Sequence, residues 1–92
     1  MKNITIDEMS KLKDINIIDI RNSQSYNNNH IENAINIPYN ELIYNIKLDK
    51  NKTYYIYCQR GIVSQKACMY LNSLGYDTVN IIGGYEAWIL KN

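Results

Sequence analysis

The stretch Tyr54-Tyr55-Ile56-Tyr57-Cys58-Gln59-Arg60-Gly61-Ile62-Val63-Ser64 changes its character at Cys58. Tyr54 to Tyr57 is a short aromatic and β-branched run of strand length. Beyond the cysteine, Val63, Ala67, Leu71 and Leu74 recur at helical spacing, and Gly75 stands where a left-handed helix cap belongs. The segment therefore predicts a buried strand, a tight loop from Cys58 to Ser64, and a helix.

Outward from that unit the same alternation continues. Ile4 to Ile6 reads as a short strand, with Asp7 capping a helix over Glu8 to Leu12. Ile15 to Ile20 is a second apolar run, and the polar residues from Arg21 to Asn29 read as a long loop. Ala34 to Ile37 is a strand closed by Pro38, and Asn40 caps a helix through Ile46. Leu48 to Thr53 is a polar turn, Val79 to Ile82 the last strand, Gly83-Gly84 a turn, and Tyr85 to Leu90 the last helix. Apolar strands alternating with helices predict an α/β fold whose parallel sheet is covered on both faces.

Length and composition bound the function. The 92 residues suit one domain, expected to span 1–92, and 46% apolar against 21% charged residues favour a folded core. Ten basic and nine acidic residues leave a net charge of +1, too even a balance to predict nucleic acid or a membrane as partner. The apolar runs fall far short of the roughly 20 residues of a spanning helix. Asp7 and Glu8 follow Met1 closely, which leaves no signal-peptide core. Cys58 and Cys68 form no disulfide framework, and His30 is the only histidine, so no metal site is expected. A cytoplasmic chain with reduced thiols is the expectation.

Chemistry concentrates in the loop. A thiol at the end of a parallel strand, facing a helix N-terminus, meets unpaired N–H groups and the positive end of a dipole, both of which favour a thiolate. Gly61 lets the backbone curl so that N–H groups converge. Arg60 adds a cation at the rim, and Ser64 serves either as helix cap or as hydroxyl donor to a bound group. On this pattern alone, Cys58 reads equally as a nucleophile or as a small buried residue ending a strand.

Four segments resemble the single-domain rhodanese-like sulfurtransferases. Ile17-Ile18-Asp19-Ile20-Arg21 is similar to the family's apolar-apolar-Asp-x-Arg strand. His30-Ile31-Glu32-Asn33-Ala34-Ile35-Asn36-Ile37-Pro38 is similar to its G-H-I-x-G-A-x-N-I-P segment. Cys58 to Ser64 matches the C-x-x-G-x-x-S active loop, and Leu74-Gly75-Tyr76 with Gly83-Gly84-Tyr85-Glu86-Ala87-Trp88 matches the family's ending. The resemblance covers nearly the whole chain, and the segments stand in the family's order and spacing. It implies a three-layer α/β/α domain with five parallel strands ordered 1-5-4-2-3, and a persulfide on Cys58.

Two departures stand out. Asn29 and Asn33 replace glycines of the histidine motif; asparagine tolerates the left-handed region best after glycine. Ile62 and Val63 make the floor or rim of the pocket more apolar than in relatives.

The resemblance implies transfer of sulfane sulfur from thiosulfate, or from a persulfide donor, through Cys58. Gln59, Arg60, Gly61, Ile62, Val63 and Ser64 would form the substrate-binding loop, with Asp19 and Arg21 as a supporting charge pair. The donor would be a small sulfur-containing anion and the acceptor cyanide, a thiol or a protein cysteine, with no metal and no organic cofactor. Two other functions compete: a relay module loaded by a cysteine desulfurase, and a non-catalytic interaction domain. The thiol at the loop position speaks against the latter. Cysteine phosphatases need an arginine six residues after the cysteine, where this chain has Ser64. The nearest acid in sequence to the loop is Asp49. Cys68 and Trp88 with Tyr85 read as packing residues, and His30 as a hydrogen-bonding structural residue.

Overall fold

The computed structural model describes residues 2–91; Met1 and Asn92, the ends of the expected 1–92 span, lie outside the described residues. Strands β1 (Lys2–Ile4), β2 (Asn16–Asp19), β3 (Ile35–Asn36), β4 (Thr53–Tyr57) and β5 (Asp77–Ile81) form one parallel sheet in the order β1-β5-β4-β2-β3. Helices α1 (Ile6–Ser10), α2 (Ser23–Asn28), α3 (Tyr39–Tyr44), α4 (Ile62–Ser73) and α5 (Gly84–Lys91) connect and follow the strands. This is the α/β class and the strand order expected.

Period-two alternation sends successive strand residues to opposite faces. Ile18, Ile56 and Cys58 pack with Leu42 of α3 and with Ala67, Cys68 and Leu71 of α4. Ile17, Tyr57 and Ile81 face the other way, onto Ile6 and Met9 of α1 and Tyr85, Ala87 and Trp88 of α5. β2 and β4 thus bury apolar side chains on both faces, as a doubly covered parallel sheet demands.

Several boundaries differ from expectation. β1 ends at Ile4, and Thr5 rather than Asp7 caps α1: its side chain accepts from the Glu8 N–H while Glu8 reaches back to the Thr5 N–H. The region read as a loop contains α2. Its sequence lacks apolar periodicity; the Asn22 carboxamide caps it by accepting from the Ser25 N–H at 2.8 Å, and the Tyr26 hydroxyl anchors it by donating to the Ala34 carbonyl. His30 stacks on Tyr26 with centroids 3.8 Å apart and bonds the Tyr26 carbonyl through Nδ1. α3 starts at Tyr39 directly after Pro38, without a side-chain cap, so Asn40 lies inside the helix. Asn33 takes the left-handed φ of 71° that a glycine would favour, whereas Asn29 is extended and needs no glycine. α4 ends in a Schellman motif, Gly75 N–H to Asn72 and Tyr76 N–H to Leu71.

The topology sets the C-terminal ends of β2 and β4 side by side, with the Ile20 N–H donating to the Tyr57 carbonyl at 3.0 Å. In a parallel α/β sheet this edge is where ligands bind. No helix among the described residues is long and apolar enough to cross a membrane.

Candidate active site

Cys58 follows the last residue of β4 and is 6% exposed. Its Sγ receives the backbone N–H groups of Gly61 at 3.2 Å and Ser64 at 3.3 Å, and lies 3.3 Å from the Ser64 hydroxyl. Gly61, at φ 90°, is the N-cap of α4; a Cβ there would stand 2.8 Å from the Gly83 nitrogen. Ser64 is therefore not the cap. It sits in the first turn of α4, fully buried, and its hydroxyl donates to Asn80 Oδ1 at 2.6 Å.

The loop is held from behind by α5, whose Tyr85 and Glu86 N–H groups donate to the Cys58 and Gln59 carbonyls at 2.9 and 3.0 Å. Gly84, at φ 57°, permits this approach, since a Cβ would lie 2.3 Å from the Cys58 carbonyl oxygen. One helix N-terminus thus faces the sulfur, and a second fixes the carbonyls of the loop that carries it.

Burial alone pushes the Cys58 thiol up, but the Ser64 hydroxyl and the N–H groups of Ser64, Gly61 and Arg60 outweigh it and leave the thiol below its ordinary value. Cys68, fully buried on α4, is pushed up by burial despite the Thr78 hydroxyl. The two thiols should separate experimentally. Iodoacetamide at neutral pH is expected to label Cys58 and spare Cys68 in the folded protein. The Cys58 rate should level off before the ordinary thiol value of 9.0. Peptide mass mapping across pH reads both; equal labelling of the two cysteines would contradict the geometry.

Asp19 and Arg21 stand beside the loop. The Arg21 Nη2 donates to Asp19 Oδ2 at 2.8 Å and Nε donates to both oxygens at 3.1 Å, while the Tyr57 hydroxyl donates to the same carboxylate at 2.6 Å. Burial lowers the Arg21 pKa, and the Asp19 carboxylate more than offsets it, so its charge is secure. The guanidinium also lies 4.0 Å from the Tyr85 ring centroid and donates to the Asn29 carbonyl. Tyr57 is pushed far up, first by burial and then by its bond to Asp19, so its phenol stays a donor.

A cavity of about 460 Å³ opens above Cys58. Gln59, Arg60, Ile62 and Val63 line it, as do Ile20, Arg21, Asn22 and Ser25. Ile62 and Val63 are 62% and 44% exposed, which makes them rim rather than floor. Arg21 is paired, so among the described residues Arg60 is the cavity-lining cation outside any ion pair.

Asn22 and Ser25 were not singled out in the sequence, because only the unrecognised helix α2 brings them here. Glu86 is a third residue at the site that the sequence did not single out: Gln59 Nε2 donates to its carboxylate at 3.4 Å. Its signal was its position in the first turn after Gly83-Gly84. Among the described residues no three His, Cys, Asp or Glu side chains gather as metal ligands.

Known proteins share this sequence pattern and this fold. A family model described as Rhodanese-like domain matches residues 5–91. The thiosulfate sulfurtransferase GlpE of Coxiella burnetii is 40% identical over 83 residues, 88% of this chain and 78% of that protein. The thiosulfate sulfurtransferase PspE of Escherichia coli is 39% identical over 72 residues, 75% of this chain and 69% of that one. A solved rhodanese-like domain protein from Staphylococcus aureus superposes with a TM-score of 0.88 at 38% identity, covering 96% of this chain and 91% of the other.

Proposed function

This chain belongs to the rhodanese-like domain family, and from that membership we propose that it moves sulfane sulfur from thiosulfate to a thiol or cyanide through a persulfide on Cys58. The observation that carries the reading is the Cys58 sulfur at the base of an open cavity, receiving two backbone N–H groups from the start of α4.

In the first step the Cys58 thiolate attacks the outer sulfur of thiosulfate. A sulfur–sulfur bond forms to Cys58, the bond to the sulfonate sulfur breaks, and sulfite leaves with its electron pair. The persulfide keeps the single negative charge that the thiolate brought. The charge passes from Sγ to the outer sulfur of the persulfide, and the N–H groups of the loop from Gln59 to Ser64, fixed around the base of the cavity, stabilise it before and after the transfer. In the second step the acceptor takes the outer sulfur and the thiolate returns. Asp19 and Arg21 support the loop from the side, with Arg21 under the Tyr85 ring that begins α5. A reducing compartment such as the cytoplasm suits a nucleophile that must start as a free thiol.

Arg60 has its own expected result. As a cation at the mouth it should attract and orient a dianionic donor, so Arg60→Ala is expected to lower kcat/KM for thiosulfate about tenfold. Its exposure keeps the effect modest, and added salt should shrink it further. Unchanged kinetics would leave the backbone N–H groups as sole binders of the donor.

The exposed apolar rim of Ile62 and Val63 favours a second reading beside the first, a relay module loaded by a cysteine desulfurase and emptied by a docked protein cysteine. One experiment tests the shared core. Protein incubated with thiosulfate should gain one sulfur on the Cys58 peptide by mass spectrometry, removable by cyanide as thiocyanate. Loading by a desulfurase with cysteine, but not by thiosulfate, selects the relay. Release of phosphate from an aryl phosphate without any sulfur adduct would overturn both.

A further inference from the structure

Behind the Cys58 sulfur a line of side chains runs through three elements to the surface. Cys58 Sγ–H donates to Ser64 Oγ, the Ser64 hydroxyl donates to Asn80 Oδ1 at 2.6 Å, and Asn80 Nδ2 donates to Asn3 Oδ1 at 3.2 Å. Ser64 is fully buried, Asn80 is 4% exposed, and Asn3 on β1 is exposed. In this direction every proton points away from sulfur, which is the order a neutral thiol requires.

An anionic sulfur reverses the requirement, because it must receive a proton and has none to give. Ser64 carries one hydroxyl hydrogen. If that hydrogen turns to sulfur, the Ser64 oxygen faces Asn80 Oδ1 acceptor to acceptor at 2.6 Å in a buried place. A carboxamide removes the conflict by turning half a revolution, since its donor and acceptor sides have nearly the same shape. Asn80 Nδ2 then donates to Ser64, Asn80 Oδ1 faces Asn3, and the Asn3 amide turns at the solvent edge to donate in its place.

We propose that Asn80 is a positioning residue that acts through Ser64, reversing this hydrogen-bond line when Cys58 becomes anionic. The proposal rests on Cys58 being the nucleophile. Other charged and titratable groups around the sulfur are Arg60 at the loop, Arg21 with Asp19 beyond β2, Glu86 against Gln59 and Cys68 on α4. Among the described hydrogen bonds none of them joins Ser64 or Asn80, so the line is a separate element of the site.

The test follows Cys58 alkylation against pH, with peptide mapping, in variants shown folded by thermal melting. Asn80→Asp offers only acceptors, keeps the Ser64 hydrogen away from sulfur, and should raise the midpoint by about one pH unit. Ser64→Ala should raise it as well, and in that background Asn80→Asp should add little. Asn80→Leu, which leaves Ser64 free to turn, should move the midpoint less than Ser64→Ala. An unmoved midpoint in Asn80→Asp overturns the proposal, as does an equal Asn80→Asp shift with and without Ser64, which would be charge acting through space. A shift in Asn80→Leu as large as that in Ser64→Ala overturns it too. Alkylation does not depend on sulfur transfer, so failure of the functional reading would appear separately, as retained transfer without Cys58.

Discussion

Cys58→Ser is expected to yield a folded protein with no detectable transfer of sulfur from thiosulfate to cyanide and no sulfur adduct by mass spectrometry. An alcohol at this place is a far weaker nucleophile than a thiol at neutral pH, and no sulfur–sulfur bond is open to it. The fold should hold, because a serine oxygen still accepts from the Gly61 and Ser64 N–H groups that now reach Sγ. Cys68→Ser should show the reverse pattern. Cys68 is fully buried among apolar side chains, so its replacement places a hydroxyl in the core and lowers the melting temperature while the site remains. Turnover that survives in Cys58→Ser would remove the persulfide mechanism.

Gly84→Ala should be nearly as damaging although residue 84 offers no side chain to the cavity. A Cβ built there lies 2.3 Å from the Cys58 carbonyl oxygen and 3.1 Å from the Gly61 nitrogen, both backbone atoms. Relief requires the loop or the start of α5 to move, and either movement carries away the N–H groups of Tyr85 and Glu86 from the carbonyls they hold. A displacement near 1 Å at a site of this kind costs about 100-fold in rate, which is the expected fall in kcat/KM. The left-handed φ of 57° adds strain of its own. Gly75→Ala separates the two causes. Gly75 has φ 96°, but its nearest neighbour is the flexible Lys50 side chain at 3.6 Å, so that variant should lose stability and keep its kinetics. Full activity in Gly84→Ala would show that α5 does not shape the loop.

What could be read in the sequence was whatever local chemistry dictates. The turn from Tyr57 to Ile62 was legible because the strand run, the cysteine, the glycine and the helical period lie within one short segment. α2 was not, since Ser23 to Asn28 has weak helix propensity and no apolar face; beyond its local Asn22 cap it is secured by the Tyr26 bond to Ala34. The first helix misled for a local reason: Thr5 and Asp7 are both good caps, and only the reciprocal bond with Glu8 chooses Thr5. Ser64 was placed at the right loop, but the cap, one of its two expected tasks, falls to Gly61, and its partner Asn80 arrives from a strand sixteen residues away. The charge pair of Asp19 and Arg21 needed no such help, being two residues apart at a strand end.

The reach of α5 across to the Cys58 loop has a consequence for synthesis. A chain emerging from the ribosome as far as Ser73 already carries the cysteine, its glycine and the whole of α4. It lacks β5, the strand on which β1 pairs, and it lacks the N–H groups that hold the Cys58 and Gln59 carbonyls. Cys58 is therefore translated well before the residues that hold its loop from behind. On the proposed mechanism, the loop that holds the Cys58 sulfur is complete only when the tail of the chain has docked.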